Sequence, residues 1–264
     1  MNDLIFLSVF QGIAEFLPIS SNGHLVVLEK FFGIKSSNFN MHVILHFGSL
    51  FALLTYFFKD ICLMIFGIWV SDIQKLKRHP AKIHRDLAWI LVISSIPAIV
   101  VGFLVKKFFG TTAESITIIG IASIFFGALL IIADANTTKD NPPSYKNGLL
   151  IGIFQCMAFI PGASRSGTCI TAARFCGFSR VEATRFSFLM AIPTILGACV
   201  LVALDTPNLQ EFITTHQLIL MGIIIGLGIL TIHIFLWFLK KFSFVGLGIY
   251  RIIFGILILC FCMF

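Results

Sequence analysis

Charged residues are scarce in this sequence. Asp, Glu, Lys and Arg make up 12% of its 264 residues, whereas hydrophobic residues make up 58% and the mean hydropathy is +1.00. A soluble domain carries roughly 25% charged residues, so this chain lacks the polar surface that a water-soluble protein needs. The composition therefore indicates an integral membrane protein with membrane lipids as partners. The net charge of +7 is concentrated in loops, so we expect no nucleic-acid partner.

Paired cysteine spacings and basic residues near the start of the sequence are also missing. The number of cysteines is odd, and their spacing matches neither a metal site nor a disulfide framework. We therefore expect buried thiols in apolar segments. The first basic residue is Lys30, so we expect no cleaved signal peptide. The seven cysteines are Cys62, Cys156, Cys169, Cys176, Cys199, Cys260 and Cys262.

Long apolar segments dominate the chain. A bilayer-spanning helix needs about 20 mostly apolar residues, and six segments meet that requirement. We therefore predict an all-α polytopic membrane protein, a single domain over 1–264, with a linker at about 134–147 between halves 1–133 and 148–264. The predicted spans are 41–58, 87–105, 115–133, 183–204, 218–239 and 244–264.

Two further apolar stretches, 4–34 and 148–179, are each interrupted in the middle. The first break reads P-I-S-S-N-G-H over 18–24, and the second reads P-G-A-S-R-S-G over 161–167. Irregular backbone at membrane depth is tolerated only where protein or a cavity surrounds it. We predict two re-entrant helix–loop–helix hairpins. The alternative is two pairs of ordinary spans joined by a polar loop.

The two broken stretches resemble each other. Phe10-Gln11 precedes the first break and Phe154-Gln155 precedes the second, each followed by a proline with a serine three residues later. Each half then holds one hairpin and three spans, and because three is odd the second half must insert upside down. The sequence therefore predicts an inverted-topology repeat whose breaks meet near the midplane.

Basic residues in short loops predict the orientation. One side would carry ten of them, and the other only Lys30, Lys35, Lys106 and Lys107. We assign the first side to the cytoplasm, so the first hairpin would enter from outside, the second from the cytoplasm, and both termini would be external. The predicted cytoplasmic set is Lys75, Lys77, Arg78, Lys82, Arg85, Lys139, Lys146, Arg180, Lys240 and Lys241.

The breaks contain the residues that could perform chemistry. An ionisable group at a helix centre costs about 2.5–3.5 kcal/mol on insertion scales, so it marks a functional candidate. Glu15 lies one turn after Gln11, and Arg165 lies in the second break among serines. Hydroxyls, helix N-termini and an arginine suit a phosphate group. A carboxylate beside them suits a general base or a ligand of a divalent cation.

Structural roles compete with these assignments. Glu15 and Arg165 could form a purely structural ion pair. His46 and His233 have no polar neighbours in sequence and are expected in the core or at an interface. Arg251 is expected to extend to the cytoplasmic interface, and three further arginines are expected at the cytoplasmic headgroups: Arg174, Arg180 and Arg185.

At the two breaks the chain resembles the undecaprenyl-diphosphate phosphatases, also called bacitracin-resistance proteins. One motif of that family is E/Q-x-x-x-E followed by F-L-P-x-S-S-x-G-H, which reads Q-G-I-A-E-F-L-P-I-S-S-N-G-H over 11–24. The other is P-G-x-S-R-S-G followed by a threonine, found over 161–167. Asn22 stands where many members have Thr. Thr168 follows Gly167 directly, and Cys169 holds the usual threonine place.

The resemblance implies hydrolysis of a C55 polyprenyl diphosphate to the monophosphate and inorganic phosphate. It implies a Mg²⁺ or Ca²⁺ requirement and an active site open to the periplasm of the bacterial inner membrane. Gln11 and Glu15 are the expected metal ligands, and Arg165 the expected diphosphate clamp. We take Ser21 as the nucleophile, with His24 or Glu15 as its base. The expected substrate-binding residues are Ser20, Asn22, Gly162, Ser164, Ser166 and Thr168.

Two questions stay open at the sequence level. Direct attack by water is the alternative to a phosphoserine intermediate. A polyprenyl-phosphate transporter or flippase is the alternative function, because inverted repeats with broken helices are common in transporters. A homodimer is one of the oligomeric states that the sequence leaves open.

Overall fold

The computed structural model describes residues 2–33, 39–69, 81–109, 115–136, 143–205 and 215–262. Within these residues the regular structure is helical, which confirms the predicted all-α class. Eleven α-helices and one 3₁₀ turn, Cys156–Phe159, occur in this part of the chain. The helices are α1 Asn2–Ala14, α2 Ser21–Phe32, α3 Phe39–Tyr56, α4 Phe58–Trp69, α5 Ala81–Phe109, α6 Ile116–Asp134, α7 Tyr145–Gln155, α8 Arg165–Phe175, α9 Arg180–Asp205, α10 Thr215–Phe238 and α11 Val245–Cys262.

Five of these helices, α5, α6, α9, α10 and α11, are long and apolar enough to cross a bilayer, which confirms five of the six predicted spans. The sixth, predicted at 41–58, corresponds to α3, which bends by 73° at Phe57 into α4. Helix α4 is not among the predicted spans, because Lys59 and Asp60 end the apolar run there. The structure therefore supports five or six spans, depending on whether α3 and α4 count as one.

Both predicted breaks are present, but they are shorter than predicted. Residues 15–20 separate α1 from α2, and residues 160–164 separate the 3₁₀ turn from α8. Ser21 and His24 therefore lie in the first turn of α2, and Arg165 begins α8. Polar side chains at the start of a helix can accept hydrogen bonds from the unpaired backbone N–H groups there. The polar residues of the two motifs therefore begin a helix and do not interrupt one. Re-entry of each hairpin stays a prediction.

Helix pairings recur between the two parts of the chain. The helix before each break packs on a long helix of the other half, α1 on α10 and α7 on α5. The long helix that follows each hairpin does the same, α3 on α10 and α9 on α5. Exchanging the halves reproduces these pairings, as an inverted repeat requires. The limits of the halves stay a prediction, and part of the linker, 137–142, lies outside the described residues.

Helices α6 and α11 approach each other through glycines at seven-residue spacing. A Cβ added at Gly255 would lie 2.5 Å from the carbonyl oxygen of Gly120, and one at Gly248 would lie 2.8 Å from that of Gly127. Small residues permit close backbone packing of membrane helices. This contact fixes α11, which carries two residues of the site described below, against α6.

The prediction that Arg174 reaches the headgroups is wrong, whereas Arg180 and Arg185 are partly exposed, with 36% and 49% of their side-chain surface accessible. Arg174 is 3% exposed and donates to the carbonyl oxygens of Phe178, Asp134 and Asn136. Arg180 donates to both carboxylate oxygens of Asp134, at 2.7 and 3.1 Å. Arg185 pairs with Asp60. Acceptors from other segments, which sequence spacing does not reveal, bury the Arg174 guanidinium. For Arg180 and Arg185, which form ion pairs while partly exposed, the headgroup position stays a prediction.

The cysteine prediction is correct for two of the seven residues. Cys169 and Cys199 are buried, Cys156 and Cys176 are half-buried, and the other three are exposed: Cys62, Cys260 and Cys262. The exposed thiols lie on apolar helices, where a surface facing lipid is as suitable for a thiol as a protein core. The loops 70–80 and 206–214 that determine the predicted orientation lie outside the described residues, so the orientation stays a prediction.

Candidate active site

The two breaks lie against each other. Ser166 Oγ, in the first turn of α8, donates to the carbonyl oxygen of Leu17 in the first break (3.0 Å). A Cβ added at Gly23 would lie 3.5 Å from the Cα of Gly162. Gly162 has φ +91°, and a Cβ there would lie 2.6 Å from the carbonyl oxygen of Ile119 in α6, so this close approach requires glycine. The motifs of the two halves therefore form one site.

A serine with a left-handed backbone precedes each restarting helix. Ser20 has φ 69° before α2, and Ser164 has φ 71° before α8. Positive φ is unfavourable for non-glycine residues and is often found at functional sites. Ser164 caps its helix, because its Oγ accepts from the N–H of Gly167 (3.2 Å), whereas Ser20 makes no side-chain cap. Ser20 and Ser164 are thus equivalent in structure, and so are Ser21 and Arg165, which follow them. Alignment of Pro18 with Pro161 would instead match Ser21 with Ser164, one position earlier.

Glu15 is the centre of the site. Its Oε1 accepts from Arg165 Nη2 (3.0 Å), and its Oε2 accepts from Ser21 Oγ (2.7 Å) and from Gln11 Nε2 (3.0 Å). The side chain of Glu15 is 9% exposed and that of Arg165 is 16% exposed. Arg165 Nη1 is buried without a partner among the described residues. One arm of the guanidinium therefore holds the carboxylate, and the other is available to an anion.

His24 is held by groups other than Ser21. Its Nδ1 lies 2.9 Å from the carbonyl oxygen of Ser20, and its Nε2 lies 2.6 Å from the hydroxyl of Tyr250 in α11. The ring stacks on Phe254, with 3.8 Å between the ring centroids. Of the two bases proposed from the sequence, Glu15 is therefore the one that accepts the hydrogen bond of Ser21 in this arrangement.

The prediction for Arg251 is wrong, since this residue is 0% exposed and does not extend to an interface. It donates to the carbonyl oxygens of Pro18 (3.2 Å), Gly162 (2.9 Å) and Ala163 (2.8 Å). Carbonyl groups freed by a helix break need donors when water is excluded, and Arg251 supplies them to both breaks. A cation inside an apolar span of a chain with broken helices could have indicated this role.

The remaining residues of the two motifs either form hydrogen bonds within the second break and α8, or are exposed, or are buried against α7. Thr168 Oγ1 donates to the carbonyl oxygen of Arg165 (3.0 Å), and Ser164 and Ser166 share a hydrogen bond between their hydroxyls (3.2 Å). Asn22 is exposed in the first turn of α2. Cys169, at the usual threonine place, is buried with its Sγ 3.6 Å from Gln155 Oε1, so its side chain lies against the end of α7.

His46 is predicted in the core or at an interface, and the structure places it near the site. His46 is exposed and lies close enough to Glu15 to interact with it electrostatically. His233 is exposed on α10, where its Nδ1 lies 3.4 Å from the hydroxyl of Tyr56. His46 lies on α3, which packs on α1, the helix of Gln11, and the sequence alone does not show that packing.

The residues predicted to bind a metal offer suitable donors. Gln11 Oε1 is buried and has no hydrogen-bond partner in the described part of the chain, and Glu15 supplies a carboxylate. Magnesium typically binds one or two protein oxygens together with substrate phosphates and water, and these oxygens are of the type that such an ion binds. No cluster of three or more His, Cys, Asp or Glu side chains suited to a metal occurs among the described residues.

The sequence profile of the bacitracin resistance protein BacA family matches residues 4–257 of the chain. The chain belongs to this family. Members of the BacA family are undecaprenyl-diphosphate phosphatases associated with bacitracin resistance. Together with the apolar helices, membership identifies the chain as a multi-pass membrane protein. Both motifs of the site lie within the matched residues, which confirms the resemblance noted in the sequence.

Proposed function

We propose that this protein hydrolyses undecaprenyl diphosphate to undecaprenyl phosphate and inorganic phosphate, and so recycles the lipid carrier of cell-wall synthesis. The observation that supports this most directly is the hydrogen-bonded set of Ser21, Glu15 and Arg165. This set joins a hydroxyl nucleophile, Ser21, to a base, Glu15, and to a phosphate-binding cation, Arg165. Ser21 and Arg165 each begin a helix. Because the surrounding helices are apolar, a substrate with a charged headgroup and a long hydrocarbon tail suits the site.

In the proposed reaction Ser21 Oγ attacks the terminal phosphorus of the diphosphate. A bond forms between Oγ and phosphorus, the bridging P–O bond breaks, and undecaprenyl phosphate leaves. Glu15 Oε2, 2.7 Å from Oγ, takes the hydroxyl proton, as a general base within hydrogen-bond reach can do. Water then hydrolyses the phosphoserine and releases inorganic phosphate. If water attacks directly instead, Ser21 serves as a phosphate ligand.

Arg165 has two roles in this proposal. In the resting site it balances the charge of Glu15 through Nη2. Once Glu15 has accepted a proton its negative charge is gone, so the attraction between the two side chains weakens. Arg165 can then place both nitrogens on phosphate oxygens in the bidentate geometry that guanidinium favours. This coupling would concentrate positive charge where the transition state needs it.

Gln11 and Glu15 would hold a divalent cation, Mg²⁺ or Ca²⁺. When bound, the cation would supply positive charge against the phosphate oxygens. Gln11 Nε2 also orients the carboxylate of Glu15 from 3.0 Å. The predicted substrate-binding residues Ser20 and Asn22 adjoin Ser21 in sequence, at the positive end of the α2 dipole, where anions are favoured.

The proposed location is the bacterial inner membrane, with the site open to the periplasm. The second break touches Ile119, which lies in the first turn of α6, so the site is nearer to that end of the helix. The loop before α6 belongs to the side predicted to be external, whereas α6 ends at Asp134 beside the arginines of the predicted cytoplasmic side. The position of the breaks along α6 thus agrees with periplasmic access.

A detergent assay tests the proposed function. The purified full-length protein should release inorganic phosphate from undecaprenyl diphosphate, and a chelator should abolish the release until Mg²⁺ or Ca²⁺ is added back. Glu15→Gln, which keeps the side-chain shape, should be inactive. A protein that releases no phosphate but moves polyprenyl phosphate across vesicle membranes would contradict hydrolysis. That result would favour the transporter alternative, which the recurring helix pairings also suit.

A further inference from the structure

Tyr250 lies beside the motif histidine but belongs to neither motif. It is in the second turn of α11, and its hydroxyl lies 2.6 Å from His24 Nε2. Its ring lies nearly parallel to that of His24, at an interplanar angle of 6°, with 5.7 Å between the centroids. Tyr250 is 43% exposed whereas His24 is 6% exposed, so the tyrosine lies between the histidine and the outside of the protein.

The hydrogen bonds of His24 determine where its proton lies. A backbone carbonyl can only accept, so Nδ1, at 2.9 Å from the oxygen of Ser20, must carry the proton. In the neutral ring Nε2 is then an acceptor. The hydroxyl of Tyr250 is the donor that meets it, and the phenol thereby selects the Nδ1–H tautomer and fixes the plane of the ring.

The same chain of hydrogen bonds ends at the backbone carbonyl of Ser20, the residue before the nucleophile. It runs from the Tyr250 hydroxyl through His24 to the carbonyl of Ser20, which has the unfavourable φ of 69° and precedes Ser21. The next residue on α11, Arg251, binds the carbonyl of Pro18 at the other end of the break. Two neighbouring residues of α11 therefore hold the first break on both sides of Ile19.

We propose that Tyr250 is a positioning residue for catalysis: through His24 it holds the Ser20 carbonyl and thereby aims Ser21 Oγ at the substrate. The inference rests on the proposed function, since it assigns a role within that reaction. Loss of the hydroxyl leaves the stacked rings in place but frees His24 to rotate. The Ser20–Ser21 backbone then samples other conformations, which lowers turnover more than it weakens substrate binding.

The test compares Tyr250→Phe with Tyr56→Phe. The hydroxyl of Tyr56, on α3, also lies near a histidine, 3.4 Å from Nδ1 of His233 on α10. Because this pair is not part of the site, Tyr56→Phe is a matched control. Tyr250→Phe should lower kcat by at least about fivefold and leave KM within about twofold, while Tyr56→Phe keeps wild-type values. A smaller loss of kcat, or a change confined to KM, would overturn the inference. A wild-type protein without phosphatase activity would instead refute the proposed function.

A second measurement does not depend on activity. Nitrogen NMR of the wild-type protein labelled at histidine, with His24 assigned by its absence in His24→Gln, should show the Nδ1–H tautomer with a hydrogen-bonded Nε2. In Tyr250→Phe the Nε2 signal should shift towards that of an acceptor without a partner. A His24 that carries its proton on Nε2 in the wild type would overturn the inference whatever the kinetics show.

Discussion

Glu15 and Arg165 are 150 positions apart in sequence, and their side chains meet with 3.0 Å between Oε1 and Nη2. The ion pair joins the break of the first half to the break of the second, and both side chains are largely shielded from solvent. A buried pair is strongly destabilised when one partner is removed. Conservative substitutions are therefore needed to separate the catalytic role of each residue from its structural role.

Arg165→Lys should lower kcat/KM by about two orders of magnitude or more, equivalent to roughly 3 kcal/mol of transition-state stabilisation. Lysine keeps the charge that Glu15 needs, but it lacks the planar fork that holds two phosphate oxygens. The melting temperature in detergent should stay close to that of the wild type. Steady-state kinetics and a thermal melt on the same preparation measure both quantities.

Arg185→Lys is the matched control for that substitution, because Arg185 forms its ion pair with Asp60 away from the site. This variant should keep both activity and melting temperature. Near-normal activity of Arg165→Lys, or an equal collapse of its activity and stability, would mean that Arg165 is a structural residue only.

Ser21→Ala should lose nearly all turnover while the protein stays folded. Glu15 keeps its hydrogen bonds with Arg165 and Gln11 when the hydroxyl is removed, so the site does not lose its charge balance. Removing a true nucleophile costs several orders of magnitude. Phosphate release measures the effect, and Ser8→Ala, which removes a buried hydroxyl bound within α1, should behave as wild type. Retention of more than about a tenth of kcat would favour direct attack by water.

The sequence was sufficient to predict the helical class, the breaks and the residues at their centre, because apolar length and polar interruptions are local properties of the chain. It could not predict the bend at Phe57 or where each helix restarts. The bend depends on how α4 packs on α5, where Gly67 approaches Ala81 and Arg85. The restart at Ser21 depends on whether polar residues start a helix or interrupt one, which composition does not reveal.

For the site, the sequence predicted the motif residues but not their supports. Arg251 donates to Pro18 across 233 positions, and Tyr250 meets His24 across 226. Neither residue belongs to a motif, and a lone arginine in a span is compatible with an interfacial position. Only the packing of α11 on α6 decides that these side chains point towards the breaks and away from a membrane surface.

The orientation can be tested by labelling single cysteines in a cysteine-free background. A cysteine near Lys77, in a loop that carries five basic residues, should react only after the cytoplasmic face is made accessible. A cysteine in the loop 205–217, which contains no Lys or Arg, should react with an impermeant reagent on intact cells. The reverse pattern would overturn the assigned orientation and the periplasmic opening.

Gly255→Ala should lower the melting temperature clearly. Its Cβ would lie 2.5 Å from the backbone oxygen of Gly120, and since a backbone atom cannot move aside alone, α6 and α11 must separate. Gly226→Ala, on the open face of α10 with no atom within 4 Å of the added Cβ, should be neutral or slightly stabilising, because alanine favours helix. Thermal melts in one detergent compare the two. Equal melting temperatures would mean that the glycine contact contributes little to stability.

Arg251→Lys should lower both the melting temperature and the activity, which distinguishes it from Arg165→Lys. The guanidinium of Arg251 donates to three carbonyl groups at once, and an ammonium group cannot reproduce that fork. Each buried carbonyl left without a donor costs about 1–3 kcal/mol. We expect kcat to fall at least about tenfold, because both breaks lose a common support.

Gly167→Ala provides an independent route to the same perturbation. A Cβ at Gly167 would lie 2.7 Å from Arg251 Nη1, so the guanidinium must shift away from the carbonyl of Pro18. This variant should therefore reproduce the loss of activity of Arg251→Lys with arginine still present. Wild-type activity and melting temperature in both variants would show that the hydrogen bonds of Arg251 are dispensable, and the site would then depend on the Glu15–Arg165 pair to hold its halves together.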